Sequence, residues 1–162
     1  MKISMVRRGA RAMTETHEAF ERCMVDTNVL VHATIDEAPR CEEARQWMSR
    51  LQKQGVQLCT TLQVYREYLV VLTRGSIFER TFTVTEALAA LEALRPAFRE
   101  LSPTGETFTA LTHLVRRYEV GGKQVHDANI VAVMVTYGMY APATYNRGDF
   151  QRFEEVTLLA PE

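Results

Sequence analysis

Short apolar runs alternate with amphipathic stretches along this chain, and that alternation limits the fold more than any single residue does. Cys23-Met24-Val25 leads into Asp26-Thr27-Asn28, which reads as a buried strand with polar groups at its carboxyl end. After Pro39, Ala44, Trp47, Met48 and Leu51 fall at i, i+3, i+4 and i+7, one face of a helix that Gly55 stops. Residues 56–60 read as a second strand, followed by a helix capped by Thr60 or Thr61 and running to about residue 73. Thr83-Val84-Thr85-Glu86 is a capping box ahead of Ala87, Leu88, Leu91 and Leu94. Pro96 ends that helix, and residues 97–101 make a third strand. Phe108, Leu111, Leu114, Val115 and Tyr118 mark a helix closed by Gly121-Gly122; residues 125–137 form a very apolar one stopped by Gly138. Residues 140–144 and 156–159 are two last short apolar pieces. Strands alternating with helices specify an α/β fold with a mostly parallel sheet and helices on both faces. In such sheets ligands bind beyond the carboxyl ends of the strands.

Charge narrows the function. Among 162 residues, 19 Lys and Arg stand against 20 Asp and Glu, a formal net charge of −1. Bulk charge therefore does not grip a polyanion, and any nucleic acid is held by a local arrangement. No apolar run approaches the ~18–20 residues needed to span a bilayer. Cys23, Cys41 and Cys59 form neither a C-x-x-C motif nor an even set, which fits a reducing, cytoplasmic setting. Lys2, Arg7, Arg8 and Arg11 precede the first acid, Glu15, with no apolar core after them, so no export signal is expected. The expected organisation is an N-terminal extension over residues 1–19, read as flexible, and one domain over 20–162.

The acids carry the chemistry. Asp26 directly follows the first strand, a place where a turn or helix cap is the ordinary role. Glu67 has Val64, Val70 and Val71 at i−3, i+3 and i+4, so its carboxylate needs either a partner such as Arg66 or Arg74, or a cation. Asp127 opens the most apolar helix, where it also complements the helix dipole. Asp149 lies in Thr144-Tyr145-Asn146-Arg147-Gly148-Asp149-Phe150, after the last predicted strand. Taken together, four acids are expected along one edge of the sheet. Clustered carboxylates repel unless a divalent cation neutralises them, and oxygen ligands without His or Cys suit Mg²⁺ or Mn²⁺. Carboxylate-held cations suit phosphodiester hydrolysis. Neutralising Asp26, Glu67 or Asp127 is expected to remove most activity and to hold or raise the melting temperature. His32 and His126 lie near these acids without zinc-like spacing. No nucleophile elbow and no Gly-rich phosphate loop occur.

These residues resemble a family. Val25-Asp26-Thr27-Asn28-Val29-Leu30, then Glu67, then His126-Asp127-Ala128-Asn129-Ile130-Val131-Ala132 and Gly138, then Thr144-Tyr145-Asn146, Asp149-Phe150 and Phe153 are similar to the PIN domain. The similarity is closest to the VapC-type ribonuclease toxins of bacterial toxin–antitoxin pairs and covers roughly residues 23–161. It implies a three-layer α/β/α fold with four to five mostly parallel strands and a Mg²⁺- or Mn²⁺-dependent endoribonuclease. Asp26, Glu67, Asp127 and Asp149 would be the catalytic and metal-binding set. Asn28 would orient the first acid, and Thr144 and Asn146 would give polar support near the fourth. By their closeness in sequence to the proposed site, and not by the resemblance, Arg147, Lys123 and Arg74 are the candidate phosphate-holding cations. An RNA substrate, a cognate antitoxin and a second copy of the chain are the implied partners, with contact through the outer sides of the helices at 39–53 and 61–73. Pro142 departs from the family's aliphatic residue at the start of the last strand and predicts a short or irregular strand. A haloacid-dehalogenase-type phosphatase would need an acid where Asn28 stands. A receiver domain would need a neighbouring acidic pair. A PIN-like module that binds RNA or protein without cutting is the non-enzymatic alternative.

Overall fold

A computed structural model describes residues 20–75 and 78–159, so the extension at 1–19 lies outside the described residues. The chain runs β1 (Arg22–Val25), α1 (Thr27–Thr34), α2 (Cys41–Lys53), β2 (Gln57–Thr61), α3 (Leu62–Thr73) and α4 (Val84–Leu94). A 3₁₀ turn (Arg95–Ala97) then leads into β3 (Arg99–Leu101), α5 (Gly105–Arg117), α6 (Gln124–Thr136), β4 (Pro142–Ala143) and α7 (Arg147–Phe150). The four strands form an all-parallel sheet in the order β3-β2-β1-β4, the middle layer of a three-layer α/β/α fold. No helix among the described residues is long and apolar enough to cross a membrane.

The sheet order places the site. From β1 the chain steps outward through β2 to β3, then returns to the other side of β1 for β4. The direction of winding reverses between β1 and β4, the crevice where open α/β sheets take their ligands. Asp26 and Thr144 stand at the carboxyl ends of those two strands.

Local chemistry explains most boundaries. Thr61 caps α3 by accepting from the Val64 amide at 3.3 Å. The Thr83–Glu86 capping box opens α4 as expected. Gly138 follows α6 at φ 65°, a left-handed turn that glycine enters without strain. Residues 130–134 of α6 are all buried, because α5 and α7 both pack against this helix. Trp47 and Met24, Met134 and Met139 are core, and the three cysteines are free and buried. Burial pushes the Cys23 thiol up to about 12, so it stays protonated.

Two elements differ from the sequence reading, and the strand count does not. Residues 27–34 are helical, a helix that the sequence reading does not place after the first strand. The Asp26 carboxylate accepts from the Thr27 amide at 2.7 Å and caps the new helix at once. The third strand begins at Arg99, because the turn around Pro96 occupies residues 95–97. The sheet has four strands, and the segment near 156–159 adds only an isolated parallel bridge from Leu159 to Ala143. Pro142 stands first in a two-residue β4, where its missing N–H costs the ladder nothing. Neighbours supply the bonding: Met24 donates to the Ala141 carbonyl at 3.1 Å and Asp26 to the Ala143 carbonyl at 3.0 Å.

Candidate active site

Asp26 is 7% exposed and is held from three sides. Its Oδ1 accepts from the Thr27 amide at 2.7 Å; its Oδ2 accepts from Asn28 Nδ2 at 2.6 Å and from Thr144 Oγ1 at 2.7 Å. Burial pushes its carboxyl above the usual range; the Thr144, Thr27 and Asn28 bonds pull it back, and Glu67 pushes it up further. Thr144 itself is fully buried and accepts from Asn28 Nδ2 at 3.1 Å and from the Asn146 amide at 2.9 Å. Its hydroxyl therefore serves the first acid. Asn28 also accepts the Tyr145 amide at 2.9 Å, which ties the loop after β4 to the start of α1.

Glu67 sits one turn into α3. Thr27 Oγ1 donates to its Oε2 at 3.0 Å and Gln63 Nε2 to its Oε1 at 2.8 Å. Its partners are thus a hydroxyl and an amide, and neither Arg66 nor Arg74 pairs with it among the described residues. Val64 is buried beneath it, while Val70 is exposed, so the apolar surround read from the sequence is only half present.

Asp127 lies in the first turn of α6 and is half-buried. Its carboxyl is pushed up to about 6, first by burial and then by the charges of Asp149, Asp26 and Glu67; His126 acts weakly the other way. Electrostatically the four predicted acids therefore converge on Asp127, although they come from the end of β1, from α3, from α6 and from α7. Among the described residues, neither the Asp127 nor the Asp149 carboxylate accepts a hydrogen bond, so their oxygens keep free lone pairs. No three His, Cys, Asp or Glu side chains among the described residues are grouped tightly enough to enclose an ion as they stand.

Arg147 is exposed at the start of α7, with Asn146 as its exposed N-cap; Lys123 precedes α6 and Arg74 follows α3, both exposed. His126 is exposed, and its carbonyl accepts from Gln63 Nε2 at 3.0 Å. Sequence reasoning missed Thr27 and Gln63. Thr27 was visible as the residue after Asp26. Gln63 carried only its i,i+4 spacing to Glu67 as a local signal, because its partner Asn129 lies 66 positions along the chain.

The model of the PIN domain family matches residues 23–156. Among solved structures, the chain is similar to VapBC2 from Rickettsia felis bound to a DNA fragment from their promoter. The TM-score is 0.69 at 15% identity, covering 85% of this chain and 97% of that one. It is also similar to VapBC-1 from nontypeable Haemophilus influenzae (TM-score 0.65, 16% identity, 85% and 96% covered). A third similarity is to VapC20 from Mycobacterium tuberculosis, a Sarcin-Ricin loop cleaving toxin (TM-score 0.57, 22% identity, 83% and 98% covered). At these identities the likeness is one of fold. Comparison with curated proteins gives no match.

Proposed function

Because the chain belongs to the PIN domain family, we propose that it is a Mg²⁺- or Mn²⁺-dependent endoribonuclease, the toxin of a cytoplasmic toxin–antitoxin pair. One observation carries the reading: Asp127 is pushed to about 6 by burial and by three other acids that reach it from separate elements. A fold that gathers like charges at its ligand crevice needs a cation there. The donor set fits a hard divalent ion, since it offers carboxylate oxygens and the thiols are buried elsewhere. Such an ion, when bound, lowers the pKa of a water and stabilises charge on the scissile phosphate.

The chain's own residues do the positioning. Asp26 is fixed by Thr27, Asn28 and Thr144; Glu67 is fixed by Thr27 and Gln63. Asp127 and Asp149 keep lone pairs for the ion or its waters. The purified protein with Mg²⁺ or Mn²⁺ is expected to cut a circular RNA, which only an endonuclease can open. A circular RNA left intact under both metals would overturn the reading and favour a PIN-like module that binds without cutting.

Net charge −1 leaves the bare protein a poor binder of RNA. Arg147 is the candidate phosphate contact beside Asp149. Arg147→Ala is expected to weaken RNA binding and to flatten the slope of log affinity against log salt by about 0.7, with metal affinity unchanged. An unchanged slope would make Arg147 an ordinary solvated residue. An antitoxin chain and a second copy are the proposed protein partners. Exposed Leu62 and Val70 give the outer side of α3 the apolar area such a contact uses.

A further inference from the structure

Gln63 is 9% exposed at the second residue of α3, and all its bonds are directed at the site. One Nε2 proton goes to Glu67 Oε1 at 2.8 Å and the other to the His126 carbonyl at 3.0 Å. Its Oε1 accepts from Asn129 Nδ2 at 2.6 Å. The partners fix which end of the amide is which, because a carboxylate and a carbonyl only accept. His126 and Asn129 flank Asp127 on the first turn of α6. The Gln63 side chain therefore grips that turn on both sides of Asp127 while its second proton holds Glu67. Thr27, which caps the other oxygen of Glu67, reaches no part of α6 among its hydrogen bonds; among the described residues, it is the Gln63 side chain that hydrogen-bonds both Glu67 and the first turn of α6.

We propose that Gln63 is a positioning residue that sets the spacing of Glu67 and Asp127 and thereby the cation affinity of the cleft. The proposal rests on the metal-nuclease reading above. Two like charges on separate helices drift apart unless something neutral ties them. A Lys or Arg at this position would pair with Glu67 and compete with the cation. An amide supplies the tie and leaves the charge of the acids to the ion. Partners of metal ligands are commonly worth about 10–100-fold in metal affinity.

Gln63→Met keeps length and apolar bulk and removes all three bonds. Mn²⁺ binding is measured without RNA, by calorimetry or by the free-ion electron paramagnetic resonance signal, on the full chain. Gln63→Met is expected to bind Mn²⁺ about 10-fold or more weakly and to lose kcat with little change in KM for RNA. In a Glu67→Ala background the same change is expected to have a much smaller further effect on Mn²⁺ binding, because it acts through Glu67. Asn129→Ala, which frees only the third bond, is expected to weaken Mn²⁺ binding in the same direction and serves where Gln63→Met does not fold. A folded Gln63→Met or Asn129→Ala protein with wild-type Mn²⁺ affinity overturns the proposal, as does an undiminished loss in the Glu67→Ala background. A wild-type protein that neither binds Mn²⁺ nor cuts RNA overturns the metal-nuclease reading itself. Wild-type binding and cutting with an indistinguishable Gln63→Met overturns only the role of Gln63.

Discussion

EDTA is expected to reduce RNA cleavage on the order of 10³-fold or more, and excess Mg²⁺ or Mn²⁺ to restore it. The size follows from what the cation does. It offsets several kcal/mol of charge in the transition state, and each ~1.4 kcal/mol is tenfold in rate. The site makes this dependence strong, because the scissile phosphate approaches four acids, and the Asp127 carboxyl is pushed up first by burial and then by the charges of the other three. Without a cation the same acids repel the substrate. Metal and protons also compete for Asp127, so Mn²⁺ affinity is expected to fall as pH is lowered through about 6. Full activity in EDTA would remove the cation from the reaction.

Asp127→Asn is expected to lose activity by roughly 10²–10³-fold, the size seen when one group acting on developing charge is removed. Its stability moves the other way. The folded carboxyl titrates at about 6 against its usual 3.8, so the folded chain holds a proton that the unfolded chain has released. Stability from this group is present below 3.8 and is lost as pH rises through about 6. Asn never ionises and escapes that loss. In metal-free buffer the variant is expected to melt above wild type at pH 8 and to converge with it near pH 4; Mg²⁺ narrows the gap by stabilising wild type alone. Melting below wild type at pH 8 would make Asp127 a paired core group. Asp26→Asn behaves differently, against the simple expectation that every neutralisation is stabilising. Its new amide nitrogen would face Asn28 Nδ2, which can only donate, at a contact now 2.6 Å long. A buried, mismatched polar pair of this kind costs about 1–3 kcal/mol.

Features with a local cause were legible in the sequence. The Thr83–Glu86 box, the Ala44–Leu51 stripe and the glycine after α6 act within one or two turns, and each sits where its chemistry requires. The acids were legible because each follows an apolar strand or lies on an apolar helix face, where a charge needs a reason. The helix at 27–34 was not legible because Val29-Leu30-Val31 is buried throughout, which erases the 3.6-residue period. α7 is a four-residue helix, too short for any period. What holds the acids was illegible for a different reason. Thr144 meets Asp26 across 118 positions and Gln63 meets Asn129 across 66, and such pairings exist only once the sheet order brings β1 beside β4 and α3 against α6.

The attacking group can be tested with one substrate. An RNA with a single 2′-deoxy sugar at the cut position still offers its phosphate to water, but its own sugar has no hydroxyl to attack with. With Mg²⁺, the protein is expected to cut this RNA at that position nearly as fast as the all-ribose RNA, leaving no 2′,3′-cyclic phosphate on either, and Asp127→Asn is expected to cut both more slowly by the same large factor. Protection of the deoxy position, together with cyclic phosphate ends on the ribose substrate, would contradict cation-assisted attack by water and leave the four acids without their proposed chemistry.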